Sequence, residues 1–462
     1  MERKHAVSRR ALLGLLATSG AGLLVAGCGA TRTSEPVPEA TATTVAAATV
    51  AEPTAAVSEA VTIEYWDPSS SEAEQAKLDA SYFKFHDAQS AIRLNVLHGK
   101  GEDALLAAVA ANTPPDIYWR YDVMTFGSWI NKGVVQDITP YTEASTLDWS
   151  RFVPISLEAC KWRGKFYGMP STSAGLGLYY WNKPIFEKSG LDPEVPPKSL
   201  EELMEFSDKL TTKDDSGNIG LLGFHWNIGF IQWPPHFNCK FWDPDAERIT
   251  STDEGIIASF QWLADFYDHY GVDKVDRFIA GLPEGGYYSA AHPLCADLVG
   301  SIAGFEWDMF NMIATSGCEK SKFGFTKMVT PAAHPDWPTC SQGTIALTMP
   351  TGNKHPNEAW VFVEFLQRYD IAGQIGADVY CTAQVKDAVE LQAYRDNDVL
   401  ALASTFADNV IAWPCTIPVA AEYGNELGKA FDLIIHGKVA AEEGLQGVYD
   451  MIQPELDRAL GK

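Results

Sequence analysis

The sequence predicts an α/β fold built on a largely parallel sheet. Two observations point there. Strand-like and helix-like stretches alternate from residue 62 onward, the pattern of strands joined by helical crossovers. The 435 residues from Cys28 to the end also suit two domains of ordinary size.

The chain opens with Arg3, Lys4, Arg9 and Arg10, then an apolar stretch from Ala11 to Ala26 that ends Leu23-Leu24-Val25-Ala26-Gly27-Cys28. A charged start, a short apolar run and small residues at the end make a secretory signal peptide, residues 1–27. A cysteine after Val-Ala-Gly looks like a bacterial lipobox, so Cys28 is expected to carry lipid and to anchor the protein outside the cell membrane. The apolar run falls short of the ~20 residues a spanning helix needs; an uncleaved anchor helix is the rival reading. Ser8-Arg9-Arg10-Ala11-Leu12-Leu13 resembles a twin-arginine export signal, against an ordinary basic leader. Residues 28–60 are rich in Ala, Thr, Val, Pro and Glu, and their segment 30–60 has no aromatic residue. Such a composition cannot bury enough apolar surface to fold and reads as a disordered tether.

The globular pattern begins at Thr62-Ile63-Glu64-Tyr65-Trp66, a short strand. Residues 72–89 have helical character, and Ile92-Arg93-Leu94-Asn95-Val96 alternates as a second strand. A helix over 102–112, Pro114-Pro115 and the strand Asp116-Ile117-Tyr118-Trp119 follow. Ser199-Leu200-Glu201-Glu202 is a capping box opening a helix whose Leu203, Met204 and Leu210 share a face. Ile256, Phe260, Leu263 and Tyr267 form another apolar stripe, as do Ala359, Phe362, Val363 and Leu366 behind Pro356.

The net charge is −25. Loss of residues 1–27 removes four basic residues and Glu2, leaving −28 on the mature chain. Such a surface repels nucleic acid and anionic lipid, so no nucleic-acid partner is expected. Besides Cys28, seven cysteines are scattered with no C-x-x-C spacing. Export permits disulfides, but the pairing cannot be read and some buried free thiols are expected. No metal is expected from the scattered His86, His98, His225, His236 and His269, and Asp243-Pro244-Asp245-Ala246-Glu247 reads as a polar turn rather than a calcium loop. No G-x-S-x-G, G-x-x-x-x-G-K-[ST] or G-x-G-x-x-G is present, so no cofactor is expected.

Residues 161–210 carry a resemblance. Lys161-Trp162-Arg163-Gly164-Lys165-Phe166-Tyr167-Gly168-Met169-Pro170 is followed by Tyr179-Tyr180-Trp181-Asn182-Lys183-Pro184-Ile185-Phe186, Gly190-Leu191-Asp192-Pro193 and the capped helix. Thr113-Pro114-Pro115-Asp116-Ile117, Gly133-Val134-Val135-Gln136-Asp137-Ile138-Thr139-Pro140 and Met349-Pro350-Thr351-Gly352-Asn353-Lys354 keep the same order. Together they resemble the family 1 extracellular solute-binding proteins of ABC importers, the group of the maltodextrin-binding proteins. The resemblance implies a type II two-lobe fold of the periplasmic-binding-protein kind, each lobe a mostly parallel sheet flanked by helices, with a ligand cleft at the hinge. Lobe I is then 61–171 with 332–380, and lobe II is 177–331 with 385–462. It also implies a receptor, not an enzyme, that closes on a carbohydrate and passes it to the membrane subunits of an ABC permease. A monomer is expected.

Aromatic rings suit the C–H faces of a sugar, and carboxylates and amides suit its hydroxyl rim. Ligands of open α/β sheets lie outside the carboxyl ends of strands. Trp66, Asp67 and Ser69 after the first strand, and Trp119 and Asp122 after the third, are therefore candidates. The resemblance adds Trp226, Phe230 and Trp233, then Glu306 and Trp307, and last Trp413 and Tyr423; Ser173 at the first crossover could offer a hydroxyl. Two departures stand out: Tyr180-Trp181-Asn182-Lys183-Pro184 where the family often has Tyr-Asn-Lys-Asp, and Gly424 where the maltodextrin binders carry a tryptophan. Two other readings are a polyamine or other small cationic solute on the same fold, held by Asp67, Asp122 and Glu306, and a surface-tethered glycoside hydrolase.

Overall fold

Val61–Asp67 (β1) alternates inward Ile63 and Tyr65 with outward Thr62 and Glu64 before becoming buried on both faces. It pairs in parallel with Ile92–His98 (β2) and with Ile117–Arg120 (β3). The helix Glu72–Tyr82 (α1) joins β1 to β2. The computed structural model describes residues 60–121, 125–283, 291–405, 410–412 and 416–462. Cys28, the leader and the tether lie outside them.

The sheet continues through Met169–Asn182 (β4), Thr212–Lys213 (β5), Ile219–Trp226 (β6), Val299–Phe305 (β7), Phe323–Lys327 (β8), Cys340–Thr348 (β9) and Val410–Ala412 (β10). The strand order is β2-β1-β3-β9-β4-β7-β6-β5, with β8 on β4 and β10 on β9. Parallel pairs, β1 with β2 and β3 on one side and β6 with β7 on the other, flank a centre where β4 and β9 run antiparallel to most of their neighbours. The sheet is thus mixed rather than mostly parallel at the middle, because β4 and β9 carry the chain between lobes in opposite directions. The fourteen-residue β4 is hydrogen-bonded in both lobes.

Two large cores lie on either side of this passage. The first is built from β1–β3, α1 and the helix Pro356–Leu366, with Ile63, Tyr65, Leu78, Trp119, Phe362 and Val363 inside. The second holds Leu178, Tyr179, Leu203, Phe224, Phe260, Leu263, Ile302 and Leu427. The expected apolar stripes face these cores: Leu203 and Leu210 of Leu200–Leu210, Ile256, Phe260, Leu263 and Tyr267 of Glu254–Tyr270, and Ala359, Phe362, Val363 and Leu366. Ser199 caps its helix by accepting from the Glu202 N–H at 3.2 Å, while the Glu202 carboxylate reaches the Lys198 N–H at 2.6 Å, one residue further back than the capping box predicts.

Core packing draws the lobe boundaries differently from the sequence. Val385, Ala388 and Tyr394 pack in the first core, although 385–462 is expected in lobe II. Trp337 and Cys340 pack with the second core, although lobe I was expected to resume at 332. Burial decides membership, and these apolar side chains reach across from segments that the sequence cannot place. Cys295 and Cys318 form a disulfide, with Cα atoms 6.2 Å apart, and Cys160, Cys239, Cys340 and Cys381 are buried free thiols. Asp243–Glu247 forms the turn of a hairpin, with Asp243 accepting from the Asp245 and Ala246 amides. Among the described residues no helix is long and apolar enough to cross a membrane.

Candidate functional site

Registers place the site. β3 ends where Arg120 faces Ala346 of β9, and β4 lies beside the same stretch of β9 and runs on in the direction of β3 until Leu176 faces Gln342. In the other lobe Phe305, the last residue of β7, faces Gly177 of β4, and Trp226, the last of β6, lies level with Ala303. The carboxyl ends of both sheets therefore meet along β4 residues 171–177. This is the edge where open α/β sheets place ligands.

The crossover itself is tightly bonded. Thr172 bridges Ala383, and Gln384 donates its N–H to the Ser171 carbonyl at 3.0 Å. The Gln342 amide donates to Gln384 Oε1 at 2.6 Å, with both side chains buried. Three passages of chain, in β4, β9 and 381–384, are thereby joined. Gly175 has φ +114°, and a Cβ there would lie 2.6 Å from the Phe305 ring. Only glycine gives both that backbone and that approach.

Aromatic rings lie at or just beyond the carboxyl ends of these strands. Phe305 and Trp307 stack with centroids 5.7 Å apart and planes 15° off parallel, and both are half-buried. Trp307 sits in the first turn of the helix Glu306–Ser316. Trp226 and Phe230 are half-buried and share Phe431, at 5.2 and 5.6 Å. From lobe I, half-buried Tyr121 follows β3, 5.1 Å from Trp119. Half-buried Glu74 of α1 lies beside Tyr121, and burial and the neighbouring Asp67 raise its carboxyl above the usual range. Burial, then Asp67 and Glu74, push the Tyr121 hydroxyl up. Lys77 Nζ stands 5.0 Å from the Tyr380 ring centroid.

The remaining expected contacts are placed elsewhere. Trp119, Trp233 and Tyr423 are at most 1% exposed and belong to the cores. Trp233 packs on Trp262 at 4.9 Å and Tyr423 on Phe241 at 6.2 Å. These three are corrections: apolar packing, not a ligand, covers their rings. Trp66 is buried in a third cluster with its indole N–H donated to Glu64. Asp67 is fully buried, accepting from the Ser69 N–H at 2.7 Å and the Tyr82 hydroxyl at 3.2 Å, with His98 Nδ1 3.4 Å away. Burial raises its pKa. Ser69 is buried against the same His98 at 3.3 Å. Glu306 is fully buried and accepts the Leu176 N–H on Oε2 and the Thr382 N–H on Oε1. Asp67, Ser69 and Glu306 are thus used internally, a second correction. Asp122 and Trp413 lie outside the described residues, as does the side chain of Ser173, whose backbone lies within β4.

Sequence reasoning missed Tyr121, Glu74 and Phe305. Tyr121 was detectable, because it lies two residues beyond Trp119, on the same strand face and one step closer to the edge. Among the described residues no group of three or more His, Cys, Asp or Glu side chains is placed to hold a metal ion.

Residues 68–373 match the bacterial extracellular solute-binding protein family. The chain belongs to that family. The sn-glycerol-3-phosphate-binding periplasmic protein UgpB of Salmonella typhimurium is 32% identical over 157 residues, 32% of this chain and 35% of that protein. The maltotriose-binding protein of Pyrococcus abyssi is 28% identical over 109 residues, 23% of this chain and 21% of that one. The chain thus spans about a third or less of the length of these curated relatives. The cyclic alpha-maltosyl-1,6-maltose binding protein from Arthrobacter globiformis superposes with a TM-score of 0.69 over 87% of this chain and 100% of that chain, at 16% identity. That likeness establishes the two-lobe fold.

Proposed function

We propose that this family member is the lipid-anchored, extracytoplasmic receptor of an ABC importer, and that it captures a carbohydrate by closing its lobes and delivers it to the permease. The observation that carries the reading is the meeting of both carboxyl edges at 171–177, ringed by Tyr121, Trp226 and the Phe305–Trp307 stack. Flat rings match the C–H faces of a hexose, and closure brings rings from both lobes against it. Relatives and fold neighbours named for maltotriose and a cyclic maltooligosaccharide support a sugar. Phe230 extends the ring surface, and Asp122, Ser173 and Trp413 remain assigned to the site by their place in the chain. Lipid at Cys28 and the 28–60 tether hold the body near its permease.

A second reading, a cationic solute, is favoured by Glu74 beside Tyr121, a carboxylate and a ring together. The same carboxylate opposes a phosphate, so the ligand in the UgpB name is the poorer match here. A hydrolase would need two carboxylates free to face a sugar, and Asp67 and Glu306 are bound internally.

The test is a thermal-shift and calorimetry panel of maltotriose, mannobiose, sn-glycerol-3-phosphate and spermidine. A ligand at 100 times its Kd adds about 2.7 kcal/mol of stability. A shift with a neutral sugar and none with spermidine supports the proposal. A shift with spermidine alone moves the assignment to the cationic reading, and release of shortened sugars makes the protein an enzyme.

A further inference from the structure

We infer that Glu306 is a positioning residue for lobe closure: its buried carboxylate ties the β4 passage and the 381–384 segment of the first lobe to the helix that carries Trp307. Glu306 is the first residue of Glu306–Ser316 and is fully buried. Its Oε2 accepts the Leu176 N–H in β4, and its Oε1 accepts the Thr382 N–H, at 3.4 Å, in a segment whose flanks pack in the first core. Those amides are 130 residues before it and 76 after it. Trp307 is the next residue, stacked on Phe305, whose ring fills the space over Gly175.

The arrangement has a mechanical consequence. Closure turns one lobe about the other, and the strands between lobes absorb the change in φ and ψ. Gln384 bonds both Ser171 of β4 and Gln342 of β9, and Gln342 is level with Leu176. Glu306, from the second lobe, joins the same place through the Leu176 and Thr382 amides. The Trp307 helix of the second lobe is thereby held to the first lobe at one place, and closure turns about it, near 171–176 and 382–384. A carboxylate offers one oxygen to each of the two amides. Glutamine has the same shape but one acceptor oxygen; its NH2 would face an amide donor. Aspartate keeps both acceptor oxygens but is one methylene too short to hold both amides.

The inference depends on the capture reading only for the sense of closure, and its test needs no ligand. The full chain and its Glu306→Gln and Glu306→Asp variants are compared by hydrogen-exchange mass spectrometry. Peptides covering 174–178 and 380–384 should lose protection together in Glu306→Gln, by about tenfold or more, while peptides from β1, β2 and the helix Ala441–Leu460 are unchanged. Glu306→Asp should release one segment more than the other. Solution scattering of Glu306→Gln should show a broader interlobe distance distribution than the wild type. Unchanged exchange in both segments, or loss of protection spread evenly over the cores, overturns the inference. Binding of the maltotriose probe is read separately: a protein whose hinge behaves as expected but which ignores every sugar loses the carbohydrate reading and keeps the clamp.

Discussion

Trp119→Ala separates core from cleft more sharply than any other substitution. Trp119 is 1% exposed in the first core, edge-on to Tyr121. Removing a buried Trp or Phe costs about 3–5 kcal/mol in transfer and cavity terms. The Trp119 indole N–H has no acceptor among the described residues, so truncation also relieves an unsatisfied donor worth about 1 kcal/mol or more. The net cost should be about 2–4 kcal/mol. For a lobe of roughly 200 residues each kcal/mol lowers Tm by about 2–4 °C, which gives a fall of roughly 4–16 °C. Guanidinium titration followed by tryptophan fluorescence, with a parallel thermal scan, reads it. A variant that keeps wild-type stability but loses solute affinity would refute the burial argument and return Trp119 to the cleft.

Three other outcomes are expected. Trp307→Ala should weaken solute binding about tenfold or more, with a stability loss of only about 1–2 kcal/mol, since a half-buried stacked ring contributes roughly 0.5–1.5 kcal/mol beyond its area; calorimetry with denaturation distinguishes the two effects. Burial lowers His225 to about 4 and His236 to about 3. Their native forms stay neutral while the unfolded chain takes up protons near 6.5, so their stability is complete above that pH and is lost as pH falls toward 4. The limiting slope is about 1.4 kcal/mol per pH unit for each histidine. Asp67 and Asp308, raised by burial, bind protons earlier in the native state and offset part of the loss at the acid end; denaturation midpoints from pH 7.5 to 4.5 measure the sum. Cys295→Ala with Cys318→Ala should cost about 3 kcal/mol, the chain-entropy value for a 23-residue separation, and reductant should lower the wild-type Tm but not that of the double variant.

Local features were legible and long-range ones were not. The strands near 62–66 and 92–96 and the helical stripes showed themselves because burial on one face forces a period of two or 3.6. The site was harder. Trp233 and Trp307 have the same side chain, but the first packs on Trp262 and the second lies half-open. Periodicity cannot separate them, because the same apolar ring suits a core and a sugar. Asp67 looked like a ligand for hydroxyls, and its partners Tyr82 and His98 come from other elements, 15 and 31 residues away. Glu306 is the extreme case, since its acceptor role depends on backbone amides from two remote passages.

The central claim is that a solute held at residues 171–177 draws the two lobes together. Small-angle scattering of the full chain, with and without saturating maltotriose or mannobiose, tests it most directly. The account predicts a smaller radius of gyration at unchanged mass with the sugar that binds, and no such change in Trp307→Ala at the same concentration. Saturable binding with no contraction, or contraction that is equal in Trp307→Ala, would contradict it.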